Sequence, residues 1–295
     1  MLETCILPPA REHYLSLPVV DGFTSYLARW LAGRVFDPPY LTQLHRPKIE
    51  YCFTSIQDAW EQYIQESPNV KFEQAILECE DPLRKALYKF DDKGFIEVVK
   101  KMFATRENLA KSNLPTLEKT QYLCESILCA VRELSSDSPE VDTFGSVGGP
   151  RCTAFFSRIY ATLIPNFLTY DSRIAAALCY FIREYCLSRE IALPEELRLG
   201  CVLGWGKNKK EMGRNPSWGD NTFLVFDLIK KRPLKERTFA LSNYRASWLV
   251  ADAISKAKKL DSRGSAWIGD PHAIHKVEGA FYMIGIEVPP YEANV

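Results

Sequence analysis

The 295-residue chain has no stretch of about 18 uncharged apolar residues, which excludes an ordinary membrane-spanning helix. The segment from Met1 to Glu12 lacks a basic start followed by an apolar run, so no secretion signal is expected. Cys-x-x-Cys is also missing. Its absence argues against a zinc ribbon or a thioredoxin-type site. The nine cysteines (Cys5, Cys52, Cys79, Cys124, Cys129, Cys152, Cys179, Cys186 and Cys201) are odd in number and lack close pairs. They read as reduced thiols of a cytoplasmic protein. Cys179 and Cys186 are seven apart, but Cys201 lies too far on to complete a compact iron–sulfur loop. Net charge is absent too, with 37 basic against 37 acidic side chains. Any polyanion would therefore need a local basic patch rather than the field of the whole surface. One such patch exists between residues 205 and 237, where nine Lys or Arg stand against four Asp or Glu.

What is present is a helical period. With 46% apolar and 25% charged residues the chain has enough material for a large core without staples. Apolar residues recur at helical spacing over 22–33, 55–66, 72–80, 82–90, 94–103, 117–134, 151–163, 171–189, 194–203, 240–258 and 271–284. Strand signals are weak. The run 223–226 reads as a short strand or a buried turn, and no repeat or low-complexity tract occurs. The pattern predicts an all-α architecture with a lobe boundary near 105–116, giving an N-terminal lobe over 1–110 and a second over 111–295.

The chemistry concentrates in residues 139–178. Gly148 and Gly149 permit positive φ and close backbone approach, and Pro150 suits a first helical position. The helix that follows would present free N–H groups and a positive dipole end, an anion site for which a phosphate is the obvious guest. Pro165 and Asn166 break that helix. A short segment leads to Asp171, a favourable N-cap for the next helix, and Arg173 follows two places later.

These parts resemble the helix-hairpin-helix DNA glycosylase superfamily: the turn from Val147 to Arg151, a helix to Leu163, then Tyr170, Asp171, Ser172 and Arg173. The stretch 170–178 is similar to the branch of bacterial 8-oxoguanine-DNA-glycosylase-like proteins, as are 243–249 and 278–285. The resemblance implies a two-lobed helical glycosylase fold with a DNA cleft between the lobes. It implies a monomer acting on double-stranded DNA with a modified base, needing no cofactor and no metal. The amides at Gly148, Gly149, Arg151 and Cys152 would hold a phosphate. The target nucleotide would leave the stack for a pocket, and Asp171 would stabilise the cationic sugar as the base departs. Bifunctional members carry a nucleophilic Lys just after the hairpin. Here that neighbourhood reads Pro150, Arg151 and Cys152, so the expected enzyme is monofunctional and leaves an abasic site. The substrate expected from the resemblance is either an oxidised purine, in repair, or a bulky phage-type base such as glucosylated hydroxymethylcytosine, in antiviral defence.

Further candidates for the DNA backbone or pocket are Tyr170, Arg173, Trp205, Lys207, Lys209, Lys210, Arg214 and Arg245, with Trp218 and Trp248 as stacking or core rings. His272, His275 and Glu278 fall along one side of a helix. That spacing supports a second reading, a metal-dependent nuclease or hydrolase, against ordinary surface histidines. A third reading is a noncatalytic DNA-binding protein.

Overall fold

A computed structural model describes residues 10–45, 48–203, 213–261, 263–269 and 271–291. Among these the chain is mostly helical, with eleven α-helices and two small two-stranded sheets. None of the helices described is long and apolar enough to cross a membrane.

Helices α1 (Arg11–Ser16) and α2 (Pro18–Leu31) open the fold. An antiparallel hairpin follows, β1 (Val35–His45) and β2 (Lys48–Ser55), with Tyr40 opposite Phe53 and Leu41 opposite Cys52. The alternation of strands divides it: Tyr40 and Phe53 are buried and stack, while Leu41 is exposed. The hairpin lies outside the all-helical expectation. Pro38 and Pro39 sit in β1 where the register shifts, and proline removes the ladder donor that makes a strand legible.

Next come α3 (Ile56–Tyr63), α4 (Ser67–Tyr88), α5 (Asp92–Met102), α6 (Glu107–Glu118) and α7 (Leu123–Ser135). The two helices expected over 72–90 are one: α4 runs through Pro82. Proline inside a helix costs about 3 kcal/mol. Burial of Ile76, Cys79, Leu83 and Leu87 along the same face offsets that cost, at about 1.5–3 kcal/mol for each large side chain. The single helix expected over 117–134 is instead split, because Tyr122 adopts a left-handed conformation before α7.

The centre is built from α8 (Ala154–Leu163) and α9 (Ser172–Ser188). Every residue of α8 from Phe155 to Leu163 is buried, as is most of α9. Two strands in parallel, β3 (Gly200–Cys201) and β4 (Leu224–Val225), replace the helix expected over 194–203. The reason is lateral hydrogen bonding. Gly200 N–H donates to Ser242 Oγ at 2.9 Å, its carbonyl accepts from the Tyr170 hydroxyl, and Leu224 N–H donates to the Leu199 carbonyl. A side chain at Gly200 would also strike the Phe226 ring. The long α10 (Arg232–Leu260) packs on α2, and α11 (Ala273–Ile284) packs on α3 and α9. One buried apolar cluster extends from Tyr14 to Ile286 and draws on both halves of the chain.

Candidate active site

Asp171 ends a strap of extended chain whose backbone is tied on three sides. Leu168 N–H donates to Ser247 Oγ of α10 at 3.0 Å, and Asn243 Nδ2 donates to the Leu168 carbonyl at 2.7 Å. Thr169 N–H donates to Glu278 of α11, and Tyr170 N–H to Ser157 Oγ of α8 at 2.6 Å. Buried hydrogen-bonded networks of this kind fix a single arrangement. Asp171 itself is extended (φ −120°, ψ −178°) and caps α9. Its Oδ1 accepts from Arg173 N–H at 2.8 Å and from Ile174 N–H at 3.0 Å. Among the described residues Oδ2 has no hydrogen-bond partner. One carboxylate oxygen is thus fixed and the other is available.

The carboxylate borders a cavity of about 330 Å³, a volume within the range of small-ligand pockets. Three arginines (Arg106, Arg158, Arg173) and three carboxylates (Glu73, Asp171, Glu278) line it, and Phe72, Tyr63 and Tyr282 supply aromatic wall. Arg173 stacks over Tyr282 with its guanidinium carbon 4.1 Å from the ring centroid. Ala154, the first residue of α8, also lines the cavity, so two helix N-termini border it. Tyr63 donates to Glu73 Oε1 at 2.7 Å. Burial and the Glu73 charge push that phenol well above its ordinary range, so it serves as a donor.

Beneath the strap lies a buried triad. Glu278, 2% exposed, accepts from Thr169 N–H, from Arg158 Nη1 at 3.4 Å and from His275 Nδ1 at 3.0 Å. Burial alone would raise the Glu278 carboxyl, but the Arg158 charge and the His275 bond carry it below the usual carboxylate range. Burial would lower His275, but its bond to Glu278 raises it above the ordinary imidazole value. Glu278 meets His275 at 3.0 Å but also takes Arg158 and the strap amide, and no group of three or more His, Cys, Asp or Glu placed to hold a metal occurs among the described residues.

The glycine turn differs from expectation in one respect. Gly148 has φ +74° with open space around it, and Val147 is fully exposed. At Gly149 a Cβ would lie 2.2 Å from Ser146 Oγ and from the Thr143 carbonyl, so only glycine fits. The helix does not begin at Pro150. The Pro150 carbonyl accepts from Gly145 N–H, residues 150–153 stay outside the helix, and α8 starts at Ala154. Glu236, 3% exposed, takes Arg151 Nε at 2.7 and 2.8 Å on its two oxygens, Cys152 N–H at 3.1 Å and Arg232 Nε at 3.1 Å. An internal carboxylate already takes Arg151 Nε and the Cys152 amide. Of the amides in 145–152, those of Val147, Gly148 and Arg151 donate to no other described residue. Gly148 and Gly149 are not among the residues lining the Asp171 cavity. The Cys152 thiol is buried, and burial followed by the Glu236 charge keeps it protonated.

Other candidates scatter. Tyr170 is wholly buried against Phe226 and Phe239, so it supports the strap rather than touching a ligand. Arg214 is 3% exposed and donates to Ser172 Oγ and the Ile286 carbonyl. Burial, with Arg173 nearby, pulls it down to about 10. It braces the start of α9 from inside. Arg245 lies over Tyr14, and neither it nor Trp218 lines the Asp171 cavity. Trp205, Lys207, Lys209 and Lys210 lie outside the described residues. Arg158, Arg106 and Glu73 line the cavity without having been expected from the sequence. Arg158 had a readable signal: it is the one charged residue in the otherwise apolar and small-polar run 154–163.

Comparison of the chain with family models, with curated proteins and with solved structures gave no match.

Proposed function

We propose that the protein is a monofunctional DNA glycosylase that takes a modified base out of the duplex, cuts its N-glycosidic bond and leaves an abasic site. The observation that carries this reading is Asp171: Oδ1 is locked by two amides, Oδ2 has no partner among the described residues, and the residue lines a cavity with aromatic walls. As the base departs, positive charge develops on the sugar. A fixed carboxylate stabilises that charge and orients a water for attack. The aromatic walls repay part of the few kcal/mol spent in unstacking the base. The Val147 and Gly148 amides at the exposed turn supply a phosphate contact in the cleft between the two helical lobes. No lysine stands after the turn, and the buried, protonated Cys152 is a poor nucleophile, so no covalent intermediate forms there. The base is an oxidised purine or a bulky phage-type base such as glucosylated hydroxymethylcytosine.

The test is incubation with duplexes carrying an assortment of modified bases, followed by hot alkali. Breaks that need alkali and vanish in Asp171→Asn support the reading. Breaks without alkali contradict the monofunctional assignment. DNA binding without base release from any duplex would leave only a noncatalytic DNA-binding protein.

A further inference from the structure

Arg158 is an unusual occupant of the cavity floor. It is 8% exposed, and buried arginines are ordinarily saturated by partners. A guanidinium carries five N–H donors. Among the described residues the only hydrogen bond of the Arg158 guanidinium is the 3.4 Å contact from Nη1 to Glu278, a carboxylate already shared with His275 and the Thr169 amide. The rest of the donor fork is left to the cavity that Arg158 lines. Its plane rests over Phe72, 5.4 Å from the ring centroid, which holds the fork in place.

What would satisfy that fork follows from its surroundings. A free anion gains no net attraction from the side chains, because Glu73, Asp171 and Glu278 offset Arg106, Arg158 and Arg173 in the same cavity. A planar ring is favoured by the aromatic walls. Glu73 receives one donor, the Tyr63 hydroxyl, and keeps acceptor capacity for a ring N–H. A neutral ring with a carbonyl beside an N–H meets both demands. We infer that Arg158 is the specificity-determining residue of this site and that it donates to a carbonyl oxygen of the everted base, so that the substrates are oxo bases of the lactam or imide kind. This inference rests on the glycosylase reading for the identity of the ligand as a base.

The experiment compares functional-group pairs as free bases at millimolar concentration, by calorimetry or ligand-observed NMR: hypoxanthine against purine, and uracil against pyrimidine. Inorganic phosphate is the anion arm. In the wild-type protein the carbonyl-bearing member binds at least about tenfold more tightly, as one well-placed arginine contact provides. Arg158→Met abolishes the difference, and Arg158→Lys retains part of it while keeping a cation beside Glu278. Both variants are checked for a native circular dichroism spectrum, so that misfolding is not read as lost recognition. Equal binding within each pair, failure of every base to bind, displacement by phosphate, or an unchanged preference in folded Arg158→Met or Arg158→Lys would each overturn the inference. If the wild-type preference appears while no duplex loses a base, the glycosylase reading fails and the carbonyl-reading site stands.

Discussion

Replacing Glu278 with glutamine removes one charge and almost no volume, and the consequences follow from its three partners. Glu278 is 2% exposed and takes Arg158 at 3.4 Å, His275 at 3.0 Å and the Thr169 amide. The glutamine oxygen can still accept from Thr169, but Arg158 is left as a buried guanidinium without its counter-charge. Removing one member of a buried pair costs about 3–5 kcal/mol. Arg158 faces a cavity, so the lower end applies, about 3 kcal/mol. The pH dependence has a sign on each flank. Glu278 titrates lower when folded, so its contribution is complete above the unfolded value of about 4.3 and is lost as pH falls through the folded value. His275 titrates higher when folded, so its contribution is complete below about 6.5 and is lost as pH rises through the folded value. Urea unfolding of wild type and Glu278→Gln at about pH 5.5 and about pH 8.5 reads both effects. The expected result is a large penalty at the lower pH that narrows at the higher, since His275 no longer gains from Glu278. A variant within about 0.5 kcal/mol of wild type at both values would refute the triad as the support of the strap.

Five further outcomes are expected. Glu236→Gln destabilises the protein by about 2–3 kcal/mol in the same assay, because Arg151, Arg232 and the Cys152 amide converge on that buried carboxylate. Gly148→Ala costs about 1–2 kcal/mol for its left-handed backbone alone. Gly149→Ala costs more, because its Cβ would meet Thr143 and Ser146 at 2.2 Å. Thermal melts rank the two, and the reverse order would show that the turn is built differently. Borohydride added during a reaction traps no protein–DNA adduct, and Cys152→Ala keeps base release; a trapped band would reveal an amine nucleophile.

Much of the central unit is legible in the chain. Asp171 as a cap followed by Ile174, Leu178, Phe181 and Ile182 at helical spacing announces α9 within a residue of its true start. The cap is the same feature that presents the carboxylate, so one local signal located both. What local signals hide is decided by distant partners. Pro150 looks like a helix start, yet Gly145 and Glu236 claim the segment from 5 residues before it and from α10. The hairpin escapes notice because two prolines interrupt β1, and its inward residues are recognised only once Tyr40 meets Phe53 across the ladder. Glu73, Arg106 and Arg158 come from three separate elements, and no spacing in sequence marks their shared cavity. Arg214 reads as a loop cation beside Lys207 and Lys210 until burial beside Ser172 gives it an internal task.

The most direct test of the account is the single-turnover rate of base release from a cognate modified duplex by wild type and Asp171→Asn. Asparagine is an equally good cap, so the fold and its melting temperature should be preserved. The rate should fall at least about a hundredfold with DNA binding retained. A variant that releases the base at the wild-type rate would contradict the assignment of this carboxylate to the chemistry.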